Sequence, residues 1–272
     1  MKSFAPIVSL FFAARSLGAT FSQTDSHQGT DFLSSFSHQA IADPTHGRVN
    51  YVDQATALAQ NLTYASGDTF IIRADDTTVL SASGPGRNSV RLQSNKQYLN
   101  HVAVFNIRHM PQGCGTWPAV WELFSTPTGN NCDTAATDNS GCGVQSPATN
   151  SYGPSFNSAG GGWYAMERSD SDINVWFWSR NGNVPSDVSS GATSIDTDNW
   201  GEPFASFPDT SCDIDSHFGE QNIIINLTFC GDWAGAVYSS DGCPSDCVDY
   251  VNNNPSAFTN AYFDFEWVKI YQ

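Results

Sequence analysis

Short runs of β-branched and aromatic residues recur along this chain, separated by turn formers such as Gly84-Pro85-Gly86, Asn181-Gly182-Asn183 and Asp241-Gly242. This pattern is typical of antiparallel strands joined by tight turns. The one helix that we predict lies near residues 54–61. The sequence therefore predicts an all-β fold, most simply two antiparallel sheets packed face to face. The strongest strand candidates are residues 102–107, 163–168, 174–178, 222–227 and 265–271.

The aromatic residues divide into packing and ligand candidates. Neighbouring side chains of a strand point to opposite sides of the sheet, so at most one face of the run Trp176-Phe177-Trp178 is expected to be core. Most of the eight tryptophans are expected to pack inside the sheets, because large aromatic side chains dominate such cores. Trp117, Trp121 and Trp233 lie in polar or glycine-flanked segments, and we interpret them as candidates for contact with a ligand.

The N-terminus resembles a secretory signal. Lys2 precedes the apolar run 4–14, and Leu17-Gly18-Ala19 offers small residues for cleavage. The run is too short to cross a bilayer; the rival interpretation is a buried N-terminal helix. We therefore predict a signal peptide at 1–19, one domain at 20–272, and a secreted, extracellular, monomeric product.

The charge balance limits the choice of partners. Acidic residues outnumber basic ones 27 to 11, which disfavours nucleic acid and anionic membranes. Only 14% of the residues are charged, so the surface is expected to be polar but neutral and suited to uncharged partners. The acceptor sequons at Asn61 and Asn226 fit glycosylation outside the cell. The second lies in an apolar run, which also allows burial, so Asn61 is the stronger candidate.

The chain has seven cysteines. In an exported protein they are expected to form disulfides, and an odd number leaves at least one without a partner in the chain. Zinc is a weak alternative, because no second close pair of ligands completes a site with Cys243 and Cys247. The cysteines are Cys114, Cys132, Cys142, Cys212, Cys230, Cys243 and Cys247.

The sequence lacks the residues that several kinds of catalysis require. The histidines are scattered, no Gly-x-Ser-x-Gly turn occurs, and we predict no metal and no cofactor. Two carboxylates about 5 Å apart, as in retaining glycosidases, would suit an aromatic-rich exported sandwich. A strand of the form Glu-x-Asp-x-x-Glu is absent, however, and we predict no catalytic residue. Glu167 and Asp170 are interpreted as part of a solvated turn. The glutamates are Glu122, Glu167, Glu202, Glu220 and Glu266.

Several blocks of the chain, in one order, resemble the fungal laminarinase-like branch of glycoside hydrolase family 16. The resemblance covers nearly everything after the signal peptide. It implies a jelly-roll sandwich, and β-1,3 or mixed β-1,3/1,4-glucan as the partner, cleaved by family members with retention. By matching position, Arg91 resembles an arginine that binds sugar hydroxyls in the cleft, while Trp121 and Trp233 resemble stacking platforms on the concave sheet. The blocks are 42–51, 84–91, 109–119, 150–156 and 226–235.

The chain departs from the family after Trp121-Glu122. In relatives this point leads into a central strand bearing Gly-Glu-x-Asp-x-x-Glu, which supplies the nucleophile and the acid/base. Here a few dozen residues are missing between Glu122 and Asn130, and with them, by resemblance, an eighth cysteine. Glu122 matches a residue before the motif and is not assigned a catalytic role. We expect a sandwich that lacks one central strand and is less stable than its relatives.

Three interpretations remain open. The chain can reflect a skipped exon or misread intron in an endo-1,3(4)-β-glucanase gene. It can be a catalytically inactive β-glucan binder. It can also be a secreted structural protein associated with the cell wall.

Overall fold

The computed structural model describes residues 20–121, 144–211 and 213–272. The predicted signal peptide and Glu122 lie outside the described residues. All five strand candidates are confirmed. The strands are β1 Thr20–His27, β2 Phe36–His38, β3 Val49–Tyr51, β4 Thr63–Ser66, β5 Thr69–Arg73, β6 Arg87–Ser89, β7 Arg91–Tyr98, β8 His101–His109, β9 Thr116–Trp121, β10 Gly162–Arg168, β11 Asp172–Ser179, β12 Ser194–Asp196, β13 Ala205–Pro208, β14 Gln221–Phe229 and β15 Tyr262–Tyr271.

The predicted helix near 54–61 is confirmed as well, and Asp53 caps it by accepting a hydrogen bond from the Thr56 amide. Six further short helices were not predicted, because four to seven residues show no clear helical period. The helices are α1 Phe32–Ser35, α2 Gln54–Ala59, α3 Gly153–Ser158, α4 Ser186–Ser190, α5 Ile214–His217, α6 Gly231–Val237 and α7 Cys247–Asn253.

Two antiparallel sheets form the sandwich, as predicted. The larger sheet has the order β12-β1-β15-β8-β10-β11-β13, and β5 extends it by pairing with β15 and β4. The smaller sheet has the order β2-β7-β14-β9. A separate parallel pair, β3 with β6, lies beside them. This is the all-β, jelly-roll architecture that the sequence predicts.

The main core fills the space between the sheets. Strands of the smaller sheet contribute one face to it, including Leu92 and Ile225, and the larger sheet contributes Phe105, Ile107 and Phe265. Alternation along each strand sends the neighbouring residues of the smaller sheet to its other side. That other side, which carries Arg91, Trp117, Trp121, Asn226 and Thr228, is called the open face below.

A second apolar cluster lies on the far side of the larger sheet. Trp176 belongs to it and Trp178 packs against it, while Phe177 between them packs against the main core. The expectation that at most one face of this run is core is therefore wrong. The reason is an additional layer, in which Val188 of α4 and Trp200 cover the far side of the sheet.

Strand β9 forms an edge of the smaller sheet among the described residues, where it pairs only with β14. The Leu227 amide donates to Val90 on β7, so its even-numbered neighbours in β14 direct their backbone groups towards β9. Pro118, which is opposite Leu227, therefore faces the free edge, and proline has no N–H to offer there. The Thr116 amide is already bonded to Gly113 O, so Val120 alone presents a donor along this edge of β9.

An apolar cavity of about 390 Å³ opens beside β9, where the inner face of the larger sheet meets Trp117 of the open face and Trp233 of α6. The core-facing side chain of Val120 lines it, together with residues of the larger sheet. The cavity is open to solvent, because Tyr152 and Trp233 at its rim are exposed, so it is a cleft beside the core and not a void within it. Other lining residues are Phe105, Ile107, Trp117, Met166 and Trp233.

Candidate functional site

The open face brings residues from three strands together through their register. Asn226 of β14 is paired with Arg91 of β7 on one side and with Ala119 of β9 on the other. Two residues further along, Thr228 is opposite Trp117. Residues in register share one face of the sheet, so this side carries a polar centre flanked by indole rings.

Arg91 and Trp121, both predicted from the sequence, lie together. The Arg91 guanidinium carbon is 5.3 Å from the centroid of the Trp121 ring, which is a cation–π contact. Arg91 Nε donates to Gln39 Oε1 at 2.8 Å. No hydrogen bond engages its terminal nitrogens within the described ranges, and the residue is 8% exposed, so Arg91 is a largely buried donor at the open face.

Asn226 holds Trp121 in place. The Trp121 Nε1–H donates to Asn226 Oδ1 at 2.8 Å, and Asn226 Nδ2 donates to the Tyr51 hydroxyl at 3.1 Å. Asn226 is 6% exposed and Tyr51 is 4% exposed, whereas the Trp121 ring is 40% exposed. A rigid polar base therefore presents an accessible aromatic surface.

Burial sets the charge state of Tyr51. It raises the pKa of the phenol to about 12, and the negative charge of Asp43 acts in the same direction. Hydrogen bonds from Asn226 and Thr228 and the positive charge of Arg91 oppose the rise in pKa. Tyr51 is therefore neutral at physiological pH and serves as a hydrogen-bonding group in the base of the face.

Asp43 lies at the other end of this base. Its Oδ2 accepts hydrogen bonds from the Thr228 hydroxyl at 2.8 Å, the Thr45 hydroxyl at 2.7 Å and the Gly47 amide at 2.9 Å. Gly47 is needed for this approach, because a Cβ there would lie 2.0 Å from Thr228 Oγ1.

Trp233, the third predicted residue, lies on α6 rather than beside Arg91. Its ring meets Trp117 edge-on, with the centroids 5.7 Å apart, and it is 47% exposed. Trp117 and Trp121 are four residues apart on β9, or about 13 Å. The structure thus separates two aromatic positions, one at Trp121 and one at Trp117 and Trp233.

Two disulfides fix the region around α6. Cys230, immediately before α6, is bonded to Cys247 of α7, and Cys114, just before β9, is bonded to Cys243. Cys243 and Cys247 therefore have separate partners, which excludes a shared zinc site between them. The remaining cysteines, Cys132, Cys142 and Cys212, lie outside the described residues.

The described glutamates lie away from the open face. Glu167 is in β10 and is 8% exposed, so its interpretation as part of a solvated turn is wrong; burial raises the pKa of its carboxyl. Glu266 faces Arg108, with Nε and Oε2 3.4 Å apart, on the larger sheet. Glu202 and Glu220 are exposed in loops.

The two sequons differ in their surroundings. Asn61 is exposed in the turn after α2, whereas the Asn226 amide is buried and hydrogen-bonded at both ends. This placement argues against a glycan on Asn226 in the folded chain. Sequence reasoning missed Asn226 as a site residue, together with Tyr51, Gln39 and Asp43; only their presence in the family-like blocks 42–51 and 226–235 could have pointed to some of them.

Within ranges 20–121, 144–211 and 213–272, no group of three or more His, Cys, Asp or Glu side chains is arranged to hold a metal ion. None of the described helices combines the length and the apolar character needed to cross a bilayer.

The curated relatives are fungal glycosidases. A probable glycosidase of Schizosaccharomyces pombe is 37% identical over 297 residues, covering 93% of this chain and 70% of the relative. A probable endo-1,3(4)-β-glucanase of Aspergillus niger is 36% identical over 93% of this chain and 40% of its own length. An endo-1,3(4)-β-glucanase of Arthroderma benhamiae is also 36% identical, over 93% of this chain and 65% of its own length. The chain thus spans only part of these proteins.

Solved structures agree with these relatives. Laminarinase 16A of Phanerochaete chrysosporium, solved with β-glucans in donor and acceptor sites, has a TM-score of 0.89 and 58% identity over 93% of this chain and 100% of its own. An elongating family 16 β-1,3-glucosyltransferase has a TM-score of 0.82 and 32% identity over 93% of this chain and 100% of its own. The family description "XgeA-like, catalytic GH16 domain" matches residues 36–127 and 122–271. The chain therefore belongs to glycoside hydrolase family 16, in its fungal laminarinase-like branch.

Proposed function

We propose that this chain is a secreted β-glucan-binding protein of the endo-1,3(4)-β-glucanase type that does not hydrolyse glucan. The observation that carries the binding is the arrangement of Arg91, Trp121 and Asn226 on the open face. A largely buried guanidinium beside an accessible indole ring suits a sugar, whose ring offers hydroxyl groups at its rim and an apolar face. Trp233 supplies a second aromatic surface.

The absence of hydrolysis rests on the carboxylates. Retaining glycosidases need two of them about 5 Å apart. Glu-x-Asp-x-x-Glu occurs nowhere in the sequence, and the one carboxylate that we find at the base of the open face, Asp43, is occupied by three hydrogen bonds to one oxygen.

The comparisons support a missing segment between Glu122 and Asn130. The alignment with the fission-yeast relative extends over 297 residues, whereas the whole chain has 272, so it includes positions without a counterpart here. The family match is divided into two parts that meet at residues 122–127. This is where the resemblance places the loss of the catalytic strand.

Two assays on the purified protein test the proposal. We expect retention on insoluble β-1,3-glucan and no release of reducing sugar from laminarin. Arg91→Ala and Trp121→Ala should each weaken retention, while Arg73→Ala, whose guanidinium pairs with Asp76 away from the open face, should not. Release of reducing sugar would refute inactivity. A failure to bind the glucan would instead favour a structural role in the cell wall.

The proposal includes processing on the secretory route. We expect cleavage after residue 19 and a glycan on the exposed Asn61, with Asn226 unmodified because its amide is engaged inside the fold. Intact-mass and peptide mass spectrometry of material secreted by a fungal host would detect each of these features. Sequencing the transcript across the Glu122–Leu123 junction distinguishes a genuinely short chain from a skipped exon or a misread intron.

A further inference from the structure

Asp43 connects the two aromatic positions of the open face. We propose that it is a positioning residue that holds Trp121 and Trp233 in one fixed arrangement, so that both rings contact the same glucan chain. The inference rests on the proposed glucan binding and adds to it the group that sets the spacing of the binding surface.

The first branch of the connection leads to Trp121. Asp43 Oδ2 accepts a hydrogen bond from the Thr228 hydroxyl, and Thr228 lies two residues from Asn226 on β14. Asn226 in turn accepts from the Trp121 indole and donates to Tyr51. Thr228, Asn226 and Tyr51 are all at most 6% exposed, so this part of the network has little freedom to rearrange.

The second branch leads to Trp233. Asp43 Oδ2 also holds the Thr45 hydroxyl and the Gly47 amide. The Thr45 carbonyl then accepts the Asp232 amide at 3.0 Å, and His46 Nδ1 lies 3.0 Å from the Asp232 carboxylate. Asp232 directly precedes Trp233 in α6.

The contact between this loop and α6 is close. Gly231, at φ +68°, comes so near that a Cβ would lie 2.5 Å from Thr45 O. A shift of the Asp43 loop would therefore also displace α6 and its residue Trp233.

A carboxylate is suited to this junction. One ionised oxygen accepts three hydrogen bonds, which are stronger than those to a neutral acceptor. An alanine at position 43 would leave two hydroxyls and one backbone amide without their acceptor. The loop would then lose its side-chain anchor to Thr228 of β14 and keep only backbone contacts there, such as the bond from the Arg48 amide to Phe229 O at 2.7 Å. The hydrogen bond between Trp121 and Asn226 would remain.

The two aromatic positions are about 13 Å apart along β9. A long glucan chain that contacts both rings depends on their relative placement, whereas a disaccharide contacts one ring at a time. Loss of Asp43 should therefore weaken the binding of long ligands more than the binding of short ones. A general loss of structure would weaken ligands of every length.

The experiment measures the affinity of the full chain for a β-1,3-linked glucose heptamer and for the dimer, by tryptophan fluorescence and NMR titration. We expect Asp43→Ala to weaken the heptamer about tenfold and the dimer less than about twofold. Asp75→Ala is the matched control. Asp75 Oδ1 also accepts three hydrogen bonds, from the Thr77 amide, the Thr77 hydroxyl and the Thr78 amide, but it lies outside this network.

A double-mutant cycle supplies the second measurement. In a Trp233→Ala background, Asp43→Ala should weaken the heptamer by less than about twofold, because the ring that it positions is gone. Independent, multiplying losses would overturn the proposal, as would an equal loss for the dimer. If Asp43→Ala does not fold, Asp43→Asn replaces it, with an expected heptamer-selective loss of about threefold. Wild-type protein that fails to bind the heptamer overturns the glucan-binding function as well, whereas normal wild-type binding with either adverse result overturns the positioning role alone.

Discussion

At the scale of single residues, the part of the base that supports Trp121 is built from neutral hydrogen-bonding groups. Asn226 satisfies an indole and a phenol at once, and Tyr51 is buried with its hydroxyl bonded. Such groups are costly to bury unless they are paired, so each one fixes the position of its neighbour. The accessible ring of Trp121 and the guanidinium of Arg91 are thereby kept in fixed positions on the open face.

Tyr51 is one of several buried tyrosines that make the fold sensitive to alkaline pH, since burial also raises the pKa values of Tyr164 and Tyr271. The folded pKa of Tyr51, about 12, is above the ordinary value of 10. The stability due to its neutral form is therefore complete below about pH 10 and is lost as the pH rises towards 12. A shift of this size corresponds to about 2–3 kcal/mol.

Tyr51→Phe should flatten the decline in unfolding free energy over this range. At pH 8 it should cost about 1–3 kcal/mol, because Asn226 loses a partner. Urea unfolding at a series of pH values measures both effects, with Tyr64→Phe, at an exposed position, as the control. Equal slopes for Tyr51→Phe and wild type would contradict the assignment.

The sequence predicts part of this site. Arg91, Trp121 and Trp233 stand out by residue type within family-like blocks. Asn226 was interpreted instead as a sequon, because its role depends on the register that places Ala119 and Arg91 on either side of it. Asp43 could not be recognised either, since its partner Thr228 lies 185 positions away in the sequence.

At the scale of elements, β9 and α6 carry the aromatic rings, and disulfides hold both of them. Strands such as β8 and β14 were predicted because their β-branched runs are long. The short helices depend on tertiary contacts that leave no periodic pattern. The layer that covers Trp176 and Trp178 was missed for the same reason, since α4 has five residues.

Removing each disulfide separately should destabilise the chain to different degrees. Cys230 and Cys247 are 17 residues apart in sequence, and Cys114 and Cys243 are 129 apart. Loop-closure entropy predicts a loss of about 3 kcal/mol for the Cys230→Ser, Cys247→Ser variant and about 5 kcal/mol for Cys114→Ser, Cys243→Ser. Urea unfolding of the two double variants beside wild type measures these losses. A greater loss from opening the shorter loop would contradict the prediction.

At the scale of the whole molecule, the described part of the sandwich has an open apolar cavity beside β9. The cavity of about 390 Å³ there is lined by side chains that pack against or belong to the main core, such as Phe105, Ile107 and Val120. Among the described residues these apolar side chains border an open space, so we expect the chain to be less stable than relatives that cover them with a further strand.

The cysteine count leads to a test on the intact chain. Seven cysteines cannot all pair within one molecule, and the four in described disulfides leave Cys132, Cys142 and Cys212. We expect one free thiol per monomer, measured as one alkyl adduct by mass spectrometry after denaturation without reductant. A monomer with no adduct would contradict this expectation, and three adducts would show that none of the remaining cysteines pair.

The free edge of β9 has a consequence for how copies of the chain meet. An open strand edge is normally a template on which identical strands assemble. Along β9, Pro118 has no amide and Thr116 has already committed its own, so the edge can receive hydrogen bonds but gives almost none. Two such edges brought together would have only the Val120 amide of each to donate. The edge that β9 presents among the described residues is thus poorly suited to polymerisation.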